Sequence, residues 1–253
     1  MQIGIIGAGN LGLAFARGLG EPVLVSDPDA ARAQALAAEV GGEAVDGNAG
    51  LASRADVVVL CHKPQQLGDV ASSIERVHGG VLSFVGATTL EQLRAAYPEA
   101  AVVRAMPNTA LEVGESLIAV AAPGEAAAER AFHTSAVELL GRVGEVVVLP
   151  EDQMLLAQAS SGAMPAYVAL FAEAQIDALV RSGLDAPTAT KLVVGAIPGA
   201  AKVVARAGGD TLAVRRAVTS PGGTTAKALA ALEAGGVRDA FSEAVDAIVG
   251  RAR

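Results

Sequence analysis

The chain has 253 residues, a formal net charge of −8, 52% apolar residues and only 3% aromatic ones, with no Trp. That length suits one large domain or two modest ones, and the acidic balance argues against nucleic acid or an anionic membrane as a partner. One cysteine, Cys61, excludes an intrachain disulfide and fits a reducing compartment. Without a basic segment ahead of the first apolar run, and with no uninterrupted apolar run of roughly 18 residues, the expectation is a cytoplasmic protein with neither signal peptide nor membrane helix.

The first stretch organises the rest. Ile3, Ile5 and Ile6 with Gly4 read as a short buried strand, and Leu11 to Leu19 as the helix after it. Between them Gly7, Gly9 and Gly12 give the G-x-G-x-x-G spacing, with Asn10 and Leu11 inside it. Gly7 permits the tight turn, Gly9 lets the backbone approach a pyrophosphate, and Gly12 lets helix pack on strand. The N–H groups and positive end of the helix face the phosphates. The next apolar run, Val23–Val25, ends at Ser26 and Asp27, and Asp27 lies at the offset of about 20 residues expected of a ribose-binding carboxylate.

Strand and helix signals then alternate: a helix over 28–40, a short strand near 43–45, a brief helix over 47–54 and the β-branched strand Asp56–Leu60. Lys63 and Pro64 end that strand at the edge where doubly wound folds bind ligands, and open a helix. Strands follow at 80–84 and 101–104, the latter leading into Met106-Pro107-Asn108-Thr109, which places Asn108 and Thr109 within reach of a nicotinamide ring. The last strands are expected at 116–121 and 145–149, flanking a helix over 125–140. The pattern predicts a parallel, doubly wound Rossmann-like sheet.

At Pro150 the character changes. No convincing strand follows; Ala-rich helical stretches run over about 152–181, 186–207, 211–217, 225–234 and 237–251. We therefore divide the chain into a dinucleotide-binding domain, residues 1–150, and an all-helical domain, 151–253. Its apolar faces exceed what a small bundle buries, so a second copy of the chain is the expected partner. Within it, Ser220-Pro221-Gly222-Gly223-Thr224-Thr225 presents free backbone and a helix start, suited to an anion such as a carboxylate; an N-cap with a glycine hinge explains the same residues.

His62 reads as a loop histidine, and His78 and His133 as surface positions. No spacing suggests a metal site, and no nucleophile motif is present. Hydride transfer remains, where the cofactor carries the chemistry and the protein orients it.

With GAGNLG near the start, KPQ at Lys63, RAMPNT at Arg104, SGAMPAY at Ser161 and TSPGGTTAKALAALEAGG from Thr219, the chain resembles the pyrroline-5-carboxylate reductase family over nearly its whole length. The resemblance implies a Rossmann-like domain, an interlocked helical dimerisation domain and reduction of a cyclic imino acid to proline by NADH or NADPH at a subunit interface. The substrate carboxylate would rest on Ser220, Gly222, Gly223, Thr224 and Thr225, with the Thr225 hydroxyl at the ring nitrogen. Asp27 favours NADH, since a carboxylate repels a 2′-phosphate. The chain departs from the family at Ala110, at Ala163 and Met164 (Ser and Gly are usual), and at Gly195-Ala196, with Pro198 expected to interrupt its helix. Met164 is thus placed in the substrate pocket, and the departures suggest a pocket broader than the five-membered imine needs. Two other readings use the same fold: a cofactor-binding sensor without turnover, and a β-hydroxyacid dehydrogenase. The latter's K-x-x-x-N pair is missing, since Gly195, Arg206 and Ala231 follow Lys191, Lys202 and Lys227.

Overall fold

A computed structural model describes residues 1–250. It divides into two compact units, Met1–Pro165 and the residues from Ala166 onward.

The first unit alternates strands β1 (Ile3–Ile6), β2 (Leu24–Ser26), β3 (Glu43–Ala44), β4 (Val57–Leu60), β5 (Gly80–Ser83), β6 (Ala101–Met106), β7 (Ser116–Ala121) and β8 (Gly144–Leu149) with helices. The helices are α1 (Asn10–Leu19), α2 (Ala30–Glu39), α3 (Asn48–Ala52), α4 (Leu67–Ser72), α5 (Leu90–Ala96) and α6 (Ala127–Leu140). The strands form one eight-stranded sheet in the order β3-β2-β1-β4-β5-β6-β7-β8. Alternate residues of each central strand feed opposite faces, as a pleated strand requires. Ile3, Ile5, Val57 and Val59 pack with Phe15, Leu36 and Leu140 on one side. Ile6, Val58 and Leu60 pack with Leu51 and Leu93 on the other. Phe15 of α1 meets Phe84 edge-on at 5.1 Å between ring centroids, which fixes α1 against the sheet.

One strand departs from the expected all-parallel pattern: β6 and β7 are antiparallel. Only residues 107–115 join them, and these make a 3₁₀ turn, Thr109–Val113. A parallel crossover takes a dozen or more residues, so the short link forces reversal. Parallel order resumes between β7 and β8, which α6 connects. His133 of α6, expected at the surface, is buried, with Nε2 3.1 Å from the Ala121 carbonyl oxygen; that carbonyl offers it a polar partner under the sheet. His78 is exposed.

Past Pro150 the chain forms a 3₁₀ turn (Glu151–Gln153), the short helix α7 (Met154–Ala157) and a π-helical turn (Gln158–Gly162). Met154 and Ala157 are buried in the sheet's second core. Residues 151–165 therefore belong by packing to the first unit, although composition changes at Pro150.

Long helix α8 (Met164–Arg181) leads on to α9 (Ala186–Arg206), α10 (Thr211–Ala217), α11 (Thr224–Ala234) and α12 (Val237–Val249). Asp185 and Asp210 cap α9 and α10 with side-chain bonds to Thr188 and Ala213 amides. Pro198 does not interrupt α9, which continues to Arg206: one missing N–H in so long a helix is outweighed by the turns on both sides. Few side chains here are covered. Leu170, Phe171, Leu192, Val194, Val203 and Leu232 are all exposed in the single chain. Contrary to the reading of apolar runs, Glu151–Arg181 and Ala186–Arg206 are long and apolar enough, by length and composition, to cross a membrane.

Candidate active site

At the carboxyl ends of β1, β2 and β4 a cleft of about 680 Å³ opens, lined by Gly7, Gly9, Ser26, Asp27, Asn48 and Lys63 among others. Gly7 turns the chain with φ +106°, and its amide donates to the Ser26 carbonyl at 2.8 Å. A β-carbon on Gly12 would run into the Gly7 carbonyl oxygen, whereas the space above Gly9 is open. Helix α1 starts at Asn10 without a side-chain cap, leaving first-turn amides free for an anion. A tight turn, an open approach and an uncapped helix are what a pyrophosphate requires, so these residues fit a dinucleotide.

Asp27 has structural work as well. Its Oδ2 accepts the Ala8 amide and its Oδ1 the Asp29 amide, each at 2.8 Å, strapping the glycine turn to the loop after β2. Ser26, buried, donates its hydroxyl to Asn48 Oδ1 at 2.9 Å, and Asn48 Nδ2 donates to Ser73 Oγ at 2.9 Å. This relay forms part of the cleft wall. Asn48 and Ser73 escaped the sequence reading; the available signal was the place of Asn48 just beyond a strand end. Lys63, exposed, precedes the 3₁₀ turn Pro64–Gln66 that leads into α4. Arg32 also lines the cleft, and its Nε lies 3.3 Å from Asp29 Oδ2. Next to Lys63, His62 Nδ1 lies 2.9 Å from the Lys63 carbonyl oxygen. Burial holds this imidazole below the ordinary histidine value, partly offset by that bond. The Cys61 thiol is pushed well up by burial, which makes it a poor nucleophile.

Asn108 follows β6 and is buried. Its Oδ1 accepts the Ala110 amide at 2.8 Å and its Nδ2 donates to the Ser161 carbonyl at 2.7 Å. Earlier on β6, Arg104 is buried and its Nη1 bonds Glu151 Oε1 at 2.5 Å. Ala163 is half-buried, and Met164 exposes 47% of its surface in the single chain.

In the second unit, Gly222 takes φ +72°, which favours glycine. Gly223 has an ordinary φ of −70°, so of the two glycines Gly222 alone uses the left-handed region. Gly223 is small for a different reason: a β-carbon there would collide with Ser220 Oγ. Its amide donates to the Ser220 carbonyl at 3.0 Å. It caps α11 without any side-chain bond, and Thr224 and Thr225 are exposed in the first turn. Among the described residues, no three His, Cys, Asp or Glu side chains are grouped to hold a metal ion.

Sheet order, glycine turn and uncapped helix define a Rossmann-type dinucleotide-binding protein carrying a helical second region. Residues 151–253 match the model of pyrroline-5-carboxylate reductase dimerisation, and residues 2–85 that of coenzyme F420-dependent NADP oxidoreductases. The pyrroline-5-carboxylate reductase of Haemophilus influenzae is 35% identical, covering 99% of this chain and 96% of that one. The Synechocystis enzyme of the same name is 33% identical over 100% and 97%. Among solved structures, Plasmodium falciparum pyrroline carboxylate reductase with NADP bound superposes with a TM-score of 0.87 at 26% identity, covering 99% and 96%. The chain belongs to the pyrroline-5-carboxylate reductase family.

Proposed function

We propose that the protein reduces 1-pyrroline-5-carboxylate, or a closely related cyclic imino acid, to the saturated amino acid with NAD(P)H. The observation that carries this reading is the match over the whole chain together with the Ser220–Thr225 loop, where α11 starts uncapped beside a left-handed Gly222. The bound nicotinamide supplies the hydride to the C=N carbon, and the ring nitrogen keeps or gains a proton.

The residues of the chain do the rest. Gly7, Gly9, Asn10, Leu11 and Gly12 with the start of α1 hold the pyrophosphate. Ser26 and Asp27 hold the adenosine ribose, and Lys63 and Pro64 border the same cleft. The amides of Gly222 and Thr224, with the hydroxyls of Ser220 and Thr224, receive the substrate carboxylate, while Gly223, whose own amide is held by the Ser220 carbonyl, keeps the loop closed beside them. Thr225 stands at the ring nitrogen, as donor to the imine or acceptor from its protonated form, and Met164 lines the apolar side of the pocket. In this reading residues 1–150 serve the cofactor and 151–253 the substrate, with the substrate held at a subunit interface. The exposed apolar faces of α8 and α9 serve self-association rather than a lipid bilayer, and the protein works in the cytoplasm.

The test is NAD(P)H oxidation against a panel of five- and six-membered cyclic imino acids. Turnover on pyrroline-5-carboxylate is the expected result. Cofactor binding without turnover on any member would defeat the reading and favour a sensor. Four of the departures, Ala163, Met164, Gly195 and Ala196, lead us to expect activity on larger rings too; an efficiency confined to the five-membered substrate would rule that breadth out.

A further inference from the structure

Asn108 follows β6 and is expected within reach of a nicotinamide ring, yet its side chain is committed to the protein. Its Oδ1 takes the Ala110 amide, which can only donate, so the orientation of the carboxamide is fixed. Nδ2 is thereby aimed at the Ser161 carbonyl, 2.7 Å away, and the Asn108 main-chain amide donates to Ser116 Oγ at 3.3 Å.

The other end of this bond has its own explanation. Ser161 lies in the π-helical turn Gln158–Gly162. In a regular α-helix its carbonyl would accept from the amide four residues on. That residue is Pro165, which has no N–H. The turn gives the carbonyl the Ala163 amide, and Asn108 adds a strong donor from outside. A β-carbon on Gly162 would stand 3.6 Å from Met106 Cγ, so the turn lies directly on the end of β6. Residues 163 and 164, where the chain departs from its family, follow this turn.

We propose that Asn108 is a positioning residue of the reductase: it holds the π-helical turn, and so Ala163 and Met164, against the end of β6, without touching the cofactor. The inference rests on the reductase reading and replaces the expectation that Asn108 binds cofactor.

Asn108→Asp keeps the acceptor for Ala110 but sets an oxygen against the Ser161 carbonyl. It should lower kcat/KM for pyrroline-5-carboxylate about tenfold or more, while the Kd for NADPH, read by fluorescence, stays within about twofold. Adding Pro165→Ala gives the carbonyl a helical N–H. The double variant should regain melting temperature but not kcat/KM, because the tie to β6 is still missing. A rise in NADPH Kd matching the loss of efficiency would make Asn108 a cofactor ligand and overturn the proposal. So would unchanged turnover per folded molecule, or recovery of efficiency in step with stability, since both signify a purely structural bond. If Asn108→Asp does not fold, Asn108→Ser, whose hydroxyl can still accept from Ala110, carries the same expectations. Parent turnover is measured first: its absence defeats the reductase reading and this proposal together, whereas normal parent turnover with an unmoved variant defeats the positioning role alone.

Discussion

A single hydroxyl or carboxylate matters most where it meets charge. Replacing Thr225 by Ala should remove one hydrogen bond to the reacting acid, about 1.5–3 kcal/mol, or roughly ten- to a hundredfold in kcat/KM. Gly223→Val should cost more, because its side chain meets Ser220 Oγ and displaces the loop backbone. Cofactor affinity should hardly move in either variant; a drop in melting temperature with unchanged turnover would show a mere cap. Asp27 should make NADH bind at least as well as NADPH, by a charge effect of order ~1 kcal/mol. Arg32 lines the same cleft and its exposed pairing with Asp29 is weak, so it limits the size of this preference. Because Asp27 also straps Ala8 and Asp29, Asp27→Ala should weaken both cofactors while abolishing any preference for NADH; parallel titrations check this. His62 carries a pH signature. Its folded-state pKa lies below the ordinary 6.5, so the folded chain binds the proton less readily than the unfolded one. Its contribution is intact above that ordinary value and is lost as pH falls below it towards the folded pKa. His62→Asn, which can still donate to the Lys63 carbonyl, should flatten the fall in melting temperature between pH 7 and 5.

At the level of elements, the segment 151–165 is tied to β6 through Glu151 and to the turn after β6 through Ser161. Glu151 takes Arg104 Nη1 and also the Leu90 amide at the start of α5, so one carboxylate joins a strand, a helix and the start of the segment. The Arg104 side chain is 3% exposed and that of Glu151 34%. Removing the acid leaves a buried guanidinium unpaired, which costs more than the pair itself contributes. Glu151→Ala should therefore destabilise by about 2–3 kcal/mol, the partial exposure of Glu151 placing it under the range for fully buried pairs. Arg104→Met in the same chain should recover much of that loss. Denaturant melts of the two variants decide it; a double variant no more stable than Glu151→Ala would show that the pair is not the source.

For the whole molecule, the dominant fact is the uncovered apolar surface of the helices. Leu170 and Phe171 on α8 and Leu192 and Val194 on α9 are each at least half exposed in the single chain, and large apolar side chains left uncovered on two consecutive helices mark an interaction surface. The dimerisation model covers this region, and the chain self-associates. Charge placed on that surface, as in Phe171→Glu with Leu192→Glu, should dissociate the assembly at micromolar concentration and take imine reduction with it, while the first unit keeps its cofactor affinity. Light scattering beside fluorescence titration reads both; a stable and fully active monomer would contradict this account.

Local physics made much of this visible in the chain alone. Gly7, Gly9 and Gly12 are legible because a pyrophosphate turn demands residues without a β-carbon at fixed offsets, and β-branched runs such as Val57–Val59 announce buried parallel strands. The glycine turn and helix start at Ser220–Thr225 were legible too, whereas the backbone angles, which only Gly222 of the pair takes from the left-handed region, were not. Tertiary structure decided what depends on partners distant in sequence. The reversal of β7 followed from the short link at 107–115, the burial of His133 from the Ala121 carbonyl, and the continuity of α9 through Pro198 from cooperative helix on either side. Asn48, Ser73 and the bond from Asn108 to Ser161 belong here too. Hydrogen bonds spanning 22 to 53 residues leave no periodicity in the sequence, because their partners meet only after the sheet has formed.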